Sequence, residues 1–336
     1  MLYVVIAFLF LAVLLYVLLG GADFGAGIIE MFTSDRNKDR TRIITYRAIG
    51  PVWESNHMWL VILVVILFVG FPEIYTTVSI YLHIPLLIML LGIIARGTAF
   101  IFRHYDAVQD RFQFWYNKIF VYSSFITPLF LGIIAGAILQ GNIEPHASGF
   151  YAAFIAPWLT LFCLSVGLFM VALCGFLASI YLIGVAAGPY DRTRFVYKAG
   201  VTNLLAIAAG VCVFLSAWKQ DIPLGIWIFG NPVSRYALVA ASASLILLWY
   251  QLLRGKTALL RVLAGFQVTM VLLSILYHHF PDILILKHHP PLSLLKNTAP
   301  ESTLRALGWA LLGGSLLILP FLGYLFYRFE DTGEIS

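Results

Sequence analysis

The chain has 336 residues, of which 61% are hydrophobic and only 11% charged, where a soluble domain carries roughly a quarter. With a mean hydropathy of +0.92, that composition excludes a soluble enzyme, a disulfide scaffold and a disordered chain. The formal net charge of +5 is spread too thinly for a nucleic-acid footprint. The composition predicts an integral membrane protein with membrane lipids as partners and no nucleic acid.

Uncharged stretches run over 1–22, 55–72, 74–95, 119–143, 145–190, 199–218, 236–253, 262–281 and 306–327. A membrane helix needs about 20 mostly apolar residues, and only 145–190 is long enough for two crossings. Crossing each stretch once gives nine spans and divides the 21 basic residues 16 to 5 between alternate loops. Two crossings within 145–190 would scramble that asymmetry. We therefore read one long tilted helix there, with an interfacial lead-in over 144–150. The positive-inside rule then places the N-terminus outside and the C-terminus in the cytoplasm. The expected fold is all-α, a single polytopic membrane domain over 1–336. The first span starts without a basic leader, which is not the pattern of a signal peptide. The longest water-facing segment is an outer loop at about 281–305, rich in Pro and His.

Within this frame each intramembrane charge needs a reason, because a carboxylate at the bilayer centre costs roughly 2.5–3.5 kcal/mol. Asp23 lies in Gly-Gly-Ala-Asp-Phe-Gly-Ala-Gly over 20–27. Gly21 and Gly25 make a small-xxx-small pair and, with Gly27, leave room for another helix. Asp23 is read as functional or inter-helix. Glu30, seven residues on and on nearly the same face, is read as a capped helix end at the cytoplasmic interface.

Pro51 suits the first turn of the second span. Trp53, Asn56 and His57 then share a face at i, i+3 and i+4, with Glu54 beside it. Two tryptophans alone fit an interfacial belt, but an acid, an amide and an imidazole entering from the cytoplasm make a candidate proton-conducting mouth. Arg96 follows an uncharged run of 22 residues and must snorkel or pair, with Asp23 and Glu54 as partners at its level. Arg103 is read as a cytoplasmic anchor. Gly132 and Gly136, followed by Gln140-Gly141, predict close helix packing at an outer end.

His83, His104 and His146 stand singly, while His278/His279 and His288/His289 are adjacent pairs that point to different helix faces. The set offers no matched pair at equal depth, and an isolated His57 is more often a hydrogen-bonded partner than a ligand. No haem or metal site is expected on this chain. Cys163, Cys174 and Cys212 lie in apolar spans without ligand-like spacing and read as small core hydrophobes.

Gly-Ala-Asp-Phe-Gly-Ala-Gly at 21–27, Pro-Val-Trp-Glu-Ser-Asn-His-Met-Trp-Leu at 51–60, Phe-Pro-Glu-Ile-Tyr at 71–75 and Arg-Gly-Thr-Ala-Phe-Ile-Phe-Arg at 96–103 resemble subunit II of the cytochrome bd quinol oxidases. Their order, their spacing and the nine-span plan fit over most of the chain. The specific motifs are concentrated in 20–103, and 132–141 and 175–181 are fainter echoes.

The resemblance implies two four-helix bundles plus one additional helix. It also implies a respiratory oxidoreductase complex of the bacterial or archaeal cell membrane, which reduces oxygen to water with quinol as donor. Haem b and haem d-type groups are then expected in a partner, the haem-bearing subunit I, with no catalytic residue in this chain. A structural quinone or lipid between helices, and small single-helix subunits, are compatible with it. This chain would support the haem-bearing subunit and help to line a cytoplasmic proton path. By position, Asp23, Trp53, Glu54, Asn56 and Arg96 match the family's polar residues. Where the family commonly reads Trp-Asp-Gly-Asn followed by Glu or Gln, this chain has Glu54, Ser55 and His57. Glu54 keeps the proton-path acid with a longer reach, and His57 introduces an imidazole, the side chain that ordinarily changes charge between pH 5 and 8.

Two other classes compete. A proton-coupled secondary transporter would use Asp23, Glu54 and Arg96 as a buried switch, yet transporters tend to show repeated halves and no second copy of the cluster is visible. A haem-bearing cytochrome or quinone-binding anchor lacks the matched histidines.

Overall fold

A computed structural model describes residues 1–105, 111–145, 147–254, 257 and 259–331; His146 lies outside them. In chain order these residues form α1 (Leu2–Leu15), a π-helical turn (Tyr16–Gly20), α2 (Gly21–Met31), α3 (Asp35–Ile49), α4 (Trp53–Gly70), α5 (Pro72–Tyr81), α6 (His83–Tyr105) and α7 (Arg111–Gln140). There follow α8 (Phe150–Phe154), α9 (Leu161–Val185), α10 (Pro189–Lys219), α11 (Leu224–Phe229), α12 (Pro232–Leu253), α13 (Leu260–His279), β1 (Asp282–Leu284), β2 (Leu292–Ser293) and α14 (Glu301–Asp331). Nine stretches of the described residues are long and apolar enough to cross a membrane. They are Leu2–Met31, which joins α1 to α2 through the π turn, then α4, α6, α7, α9, α10, α12, α13 and α14.

The fifth span differs from its expectation. It is not one long tilted helix: α8 is a single short turn, residues 155–160 are not continuous helix, and α9 starts afresh at Leu161. Pro157 lies in the break, and Thr160 caps the new helix, its hydroxyl accepting the Cys163 amide at 3.2 Å. That capping stops and restarts the chain where length alone suggested continuity. Pro51 also falls outside its expected place, since α4 begins at Trp53. The all-α expectation omits one small antiparallel sheet, in which β1 pairs with β2 within the expected outer loop. That loop ends at Glu301, where α14 begins. It docks on the span ends, with the Ala299 amide donating to Gly70 at 2.9 Å and Asn297 to Glu73 at 2.7 Å. Lys287, 2.9 Å from Glu144, holds that carboxyl below its usual range.

The packing is organised around α9, which contacts α2, α7, α10 and α13. Small residues set the approach of the helices. A Cβ at Gly25 would overlap the Cys174 carbonyl and reach within 2.7 Å of Ala178, so α2 and α9 cross there backbone to backbone. A Cβ at Gly132 would stand 2.7 Å from the Gly167 Cα, and one at Gly136 3.1 Å from the Cys163 Cα, which seats α7 on α9. A Cβ at Gly21 would lie 3.3 Å from Leu177, and one at Gly27 would overlap the Ser124 hydroxyl of α7. Cys163 and Cys174 are buried, and all three cysteines are free. The amphipathic α3 lies across the end of the spans, burying Thr41, Thr45, Ala48 and Ile49.

Gly25→Ala forces the α2–α9 crossing apart. Its thermal midpoint is expected to fall by the equivalent of about 1–3 kcal/mol of overpacking. Gly265→Ala in α13, where a Cβ meets nothing within 4 Å, is expected to leave that midpoint unchanged or slightly raised.

Candidate functional site

The site is assembled from three spans whose local sequences each remove an obstacle. Glycines on either side of Asp23 let α2 sit deep between α7 and α9, so that Asp23 is 1% exposed. One turn earlier the chain widens into the π turn, a feature often found at functional positions. On α6, Gly97 opens a seat for the Trp53 indole, which would lie 3.4 Å from a Cβ there and packs against Phe100 with ring centroids 5.4 Å apart. Arg96, beside that seat, is fully buried.

Arg96 and Asp23 form a forked pair. Nη1 donates to Oδ2 at 2.7 Å and Nη2 to Oδ1 at 2.8 Å, and Nη2 also donates to the Asp23 carbonyl at 3.0 Å. Nε donates to Ser124 at 3.1 Å. The guanidinium lies over the rings of Phe24 (5.2 Å) and Phe120 (5.0 Å). Planar, bidentate geometry of this kind is what distinguishes arginine from lysine. Both charges are therefore satisfied inside an apolar bundle, the condition for a buried pair to be tolerated.

The pattern repeats seven residues further along both helices. Glu30, also fully buried, accepts from Arg103 Nη1 at 2.9 Å and from Arg42 Nε at 2.8 Å. Arg103 lies over the same Phe120 ring at 4.8 Å. Seven residues rise about 10 Å, so the first and third spans are joined by two parallel rungs, with Arg42 of α3 bolted onto the second. Glu30 is thus more than a capped helix end, and Arg103, expected as a cytoplasmic anchor, is a buried partner of it. The equal spacing in the two helices, Asp23 to Glu30 and Arg96 to Arg103, was the signal available in the sequence. Two further contacts had none: Asp191 of α10 holds Arg40 and Arg194, and Lys198 donates to the Ile29 carbonyl at 3.0 Å, closing the end of α2.

The α4 residues separate. Asn56 is 4% exposed and lines a cleft of about 190 Å³ with Asp23, Leu19, Tyr181 and Arg261. His57 Nε2 lies 3.5 Å from Asp23 Oδ2, with its ring between Phe24 (centroids 5.6 Å) and Tyr16 (6.3 Å). Its Nδ1, like Asn56 Oδ1, is buried without a hydrogen-bond partner among the described residues. Glu54 is exposed and does not pair with Arg96, contrary to expectation. Adjacent helical residues point about 100° apart, so the turn that directs Asn56 and His57 inward carries Glu54 outward.

Among the described residues His57 and His279 are engaged by protein groups. His57 lies against Asp23 and between two rings. His279, which is buried, donates from Nδ1 to the Ile275 carbonyl at 2.9 Å and stands edge-on to Trp227 at 4.5 Å. Among the described residues no group of three or more His, Cys, Asp or Glu is placed to hold a metal ion.

Breaking a buried pair strands its partner at about 3–5 kcal/mol, so Arg96→Gln is expected to lower the yield of assembled protein sharply. Arg96→Lys, which cannot bridge both carboxylate oxygens, is expected to fall between the two. Arg305→Ala, which removes an exposed pair with Glu301, is expected to cost less than about 1 kcal/mol. Thermal denaturation of the three variants side by side checks the order.

The comparisons with known proteins agree with one another. The family profile described as cytochrome bd terminal oxidase subunit II matches residues 1–329. The chain is 27% identical over 263 residues to the cytochrome bd ubiquinol oxidase subunit 2 of Bacillus subtilis (strain 168), covering 70% of this chain and 76% of that one. It is 26% identical over 264 residues to the cytochrome bd-I ubiquinol oxidase subunit 2 of Escherichia coli (strain K12), covering 76% and 67%. Its fold superposes on a chain of the bd oxidase from Geobacillus thermodenitrificans with a TM-score of 0.78 at 22% identity, covering 98% of each chain. With a family profile matched along nearly its whole length and a fold shared with a bd oxidase chain, this chain belongs to the cytochrome bd terminal oxidase subunit II family.

Proposed function

We propose that this chain is the haem-free half of a membrane quinol oxidase, and that His57, held by Asp23, relays protons toward a haem-bearing partner subunit. As a member of its family it is part of an oxidoreductase complex, a multi-pass protein of the bacterial plasma membrane. The haems of the partner supply the oxygen chemistry. What this chain supplies is a rigid wall, and a polar entry through that wall from the end where α3 lies. That end is taken as cytoplasmic because it carries the greater share of the basic residues. Two four-helix bundles plus one helix remain our description of the arrangement. Quinol is the donor taken by the complex, and small single-helix subunits and membrane lipids are its other expected partners.

The observation that carries the relay is the division of labour around Asp23. Both of its carboxylate oxygens are engaged by Arg96. Asp23 is thus engaged on both oxygens, which leaves the imidazole beside it as the proposed carrier, with Nε2 toward Asp23 and Nδ1 without a hydrogen-bond partner among the described residues. Glu54, exposed one turn before His57, is placed to collect protons at the mouth rather than to sit in the network. Asn56 and Trp53 position this turn, the first at the cleft and the second on Gly97. The transporter reading finds no support in the family assignment.

His57→Phe in the intact oxidase is expected to lower oxygen consumption at saturating quinol by about tenfold or more, with the haem absorption spectrum retained. Unchanged turnover removes His57 from the route. Glu54→Gln is expected to slow turnover by less than about tenfold, because surface water offers other routes to the mouth.

A further inference from the structure

A second cleft lies away from the Asp23 site, at the same end of the spans, between α3 and the first turns of α7. Its volume is about 480 Å³, and Lys38, Arg42, Asn117 and Lys118 line it together with Phe114 and Tyr122. We propose that this cleft binds one anionic glycerophospholipid, with the phosphodiester held by Lys118, Lys38 and Arg42 and an acyl chain laid along α7.

Charge, depth and shape support this independently. Lys38 is paired with Asp35, and Arg42 with Glu30 and Asp39, Glu30 being shared with Arg103. Counting Lys118, four cations meet three carboxylates, which leaves one positive charge, the complement of a single phosphodiester. That surplus is carried by Lys118. Its ammonium lies over the Phe114 ring at 4.3 Å and nearer to Trp115 than 6 Å, and it makes no ion pair among the described residues.

Lys118 also stands at the edge of the uncharged stretch 119–143, where the apolar part of the span begins. An unpaired cation at such a level snorkels or finds an anion, and the anion available beside a membrane helix at that level is a lipid phosphate. Phe114, Lys118, Tyr122 and Ile126 recur every four residues and form one stripe. Three of them are substantially exposed, Phe114 at 57%, Tyr122 at 53% and Ile126 at 38%. The stripe runs from the basic cleft into the apolar part of the span, as a path for an acyl chain requires. Free inorganic phosphate has no use for it. Asn117 Oδ1, buried in the wall without a hydrogen-bond partner among the described residues, is an acceptor suited to a headgroup hydroxyl. Phosphatidylglycerol is therefore the lipid expected to bind best.

The test uses the assembled oxidase in nanodiscs of phosphatidylcholine with a minor share of phosphatidylglycerol, followed by detergent extraction and native mass spectrometry. We expect one phosphatidylglycerol to be retained in preference to phosphatidylcholine, and Lys118→Gln to reduce that retention about fivefold. Added inorganic phosphate at millimolar concentration is expected not to displace the lipid. Equal retention of the two lipids, undiminished retention in Lys118→Gln, or displacement by inorganic phosphate would each overturn the proposal. Should Lys118→Gln fail to assemble, Lys38→Gln in the opposite wall carries the same expectation with the same reversal.

Discussion

The forked pair between Arg96 and Asp23 is the constraint on which the rest of this end of the molecule depends. Both groups are fully enclosed, so neither can exist charged without the other. The guanidinium is planar, and its donors reach both carboxylate oxygens only from one side and one height, which sets the rotation and level of the third span against the first. The second rung, Glu30 with Arg103, repeats the match two turns on. A shift by one helical turn would strand Asp23, Arg96 and Arg103 and leave Glu30 with Arg42 alone. Phe120 lies under both guanidiniums and so ties the fourth span to the same register.

Such a pair requires close backbones, and the glycines provide them. Gly25 brings α2 onto Cys174 and Ala178 of α9, Gly27 brings it onto Ser124 of α7, and Ser124 in turn accepts from Arg96. Helix packing and charge pairing are therefore one arrangement. Within a membrane the hydrophobic effect does not distinguish one apolar helix face from another, so close packing and polar contacts decide which faces meet. Here the decisive contacts cluster between residues 20 and 103, while α12 and α13 pack mainly against each other.

The sequence made the nine spans legible because charges are so few that their gaps trace the helices, and the same scarcity marked Asp23 and Arg96 as partners. The family was legible from the motifs around them. Less visible was anything decided by side-chain direction over one or two residues. Glu54 was grouped with Asn56 and His57 by proximity in the chain, yet its place on the helix turns it to the outside. Glu30 and Arg103 looked peripheral because each stands near a helix end rich in charge, and their burial arises only once α3 folds back and brings Arg42 to them. The π turn at Tyr16–Gly20 left no trace, since Tyr-Val-Leu-Leu-Gly has the same apolar character as the α-helix before it. The break before α9 was hidden by the absence of charge, although Pro157 and Thr160 were its physical cause.

In this account the acid at the centre of the site does not carry the proton. Arg96 occupies both oxygens of Asp23, Asp23 faces His57, and in the proposed route the imidazole does the exchange. Infrared difference spectroscopy of the intact oxidase during turnover, with isotope-labelled aspartate and Asp23→Asn to assign the band, tests that division directly. The account predicts that no carboxylic acid band assignable to Asp23 appears at any point of the cycle, because a carboxylate that stays unchanged cancels in the difference. A carboxylic acid signal from Asp23, appearing and vanishing with turnover, would contradict it.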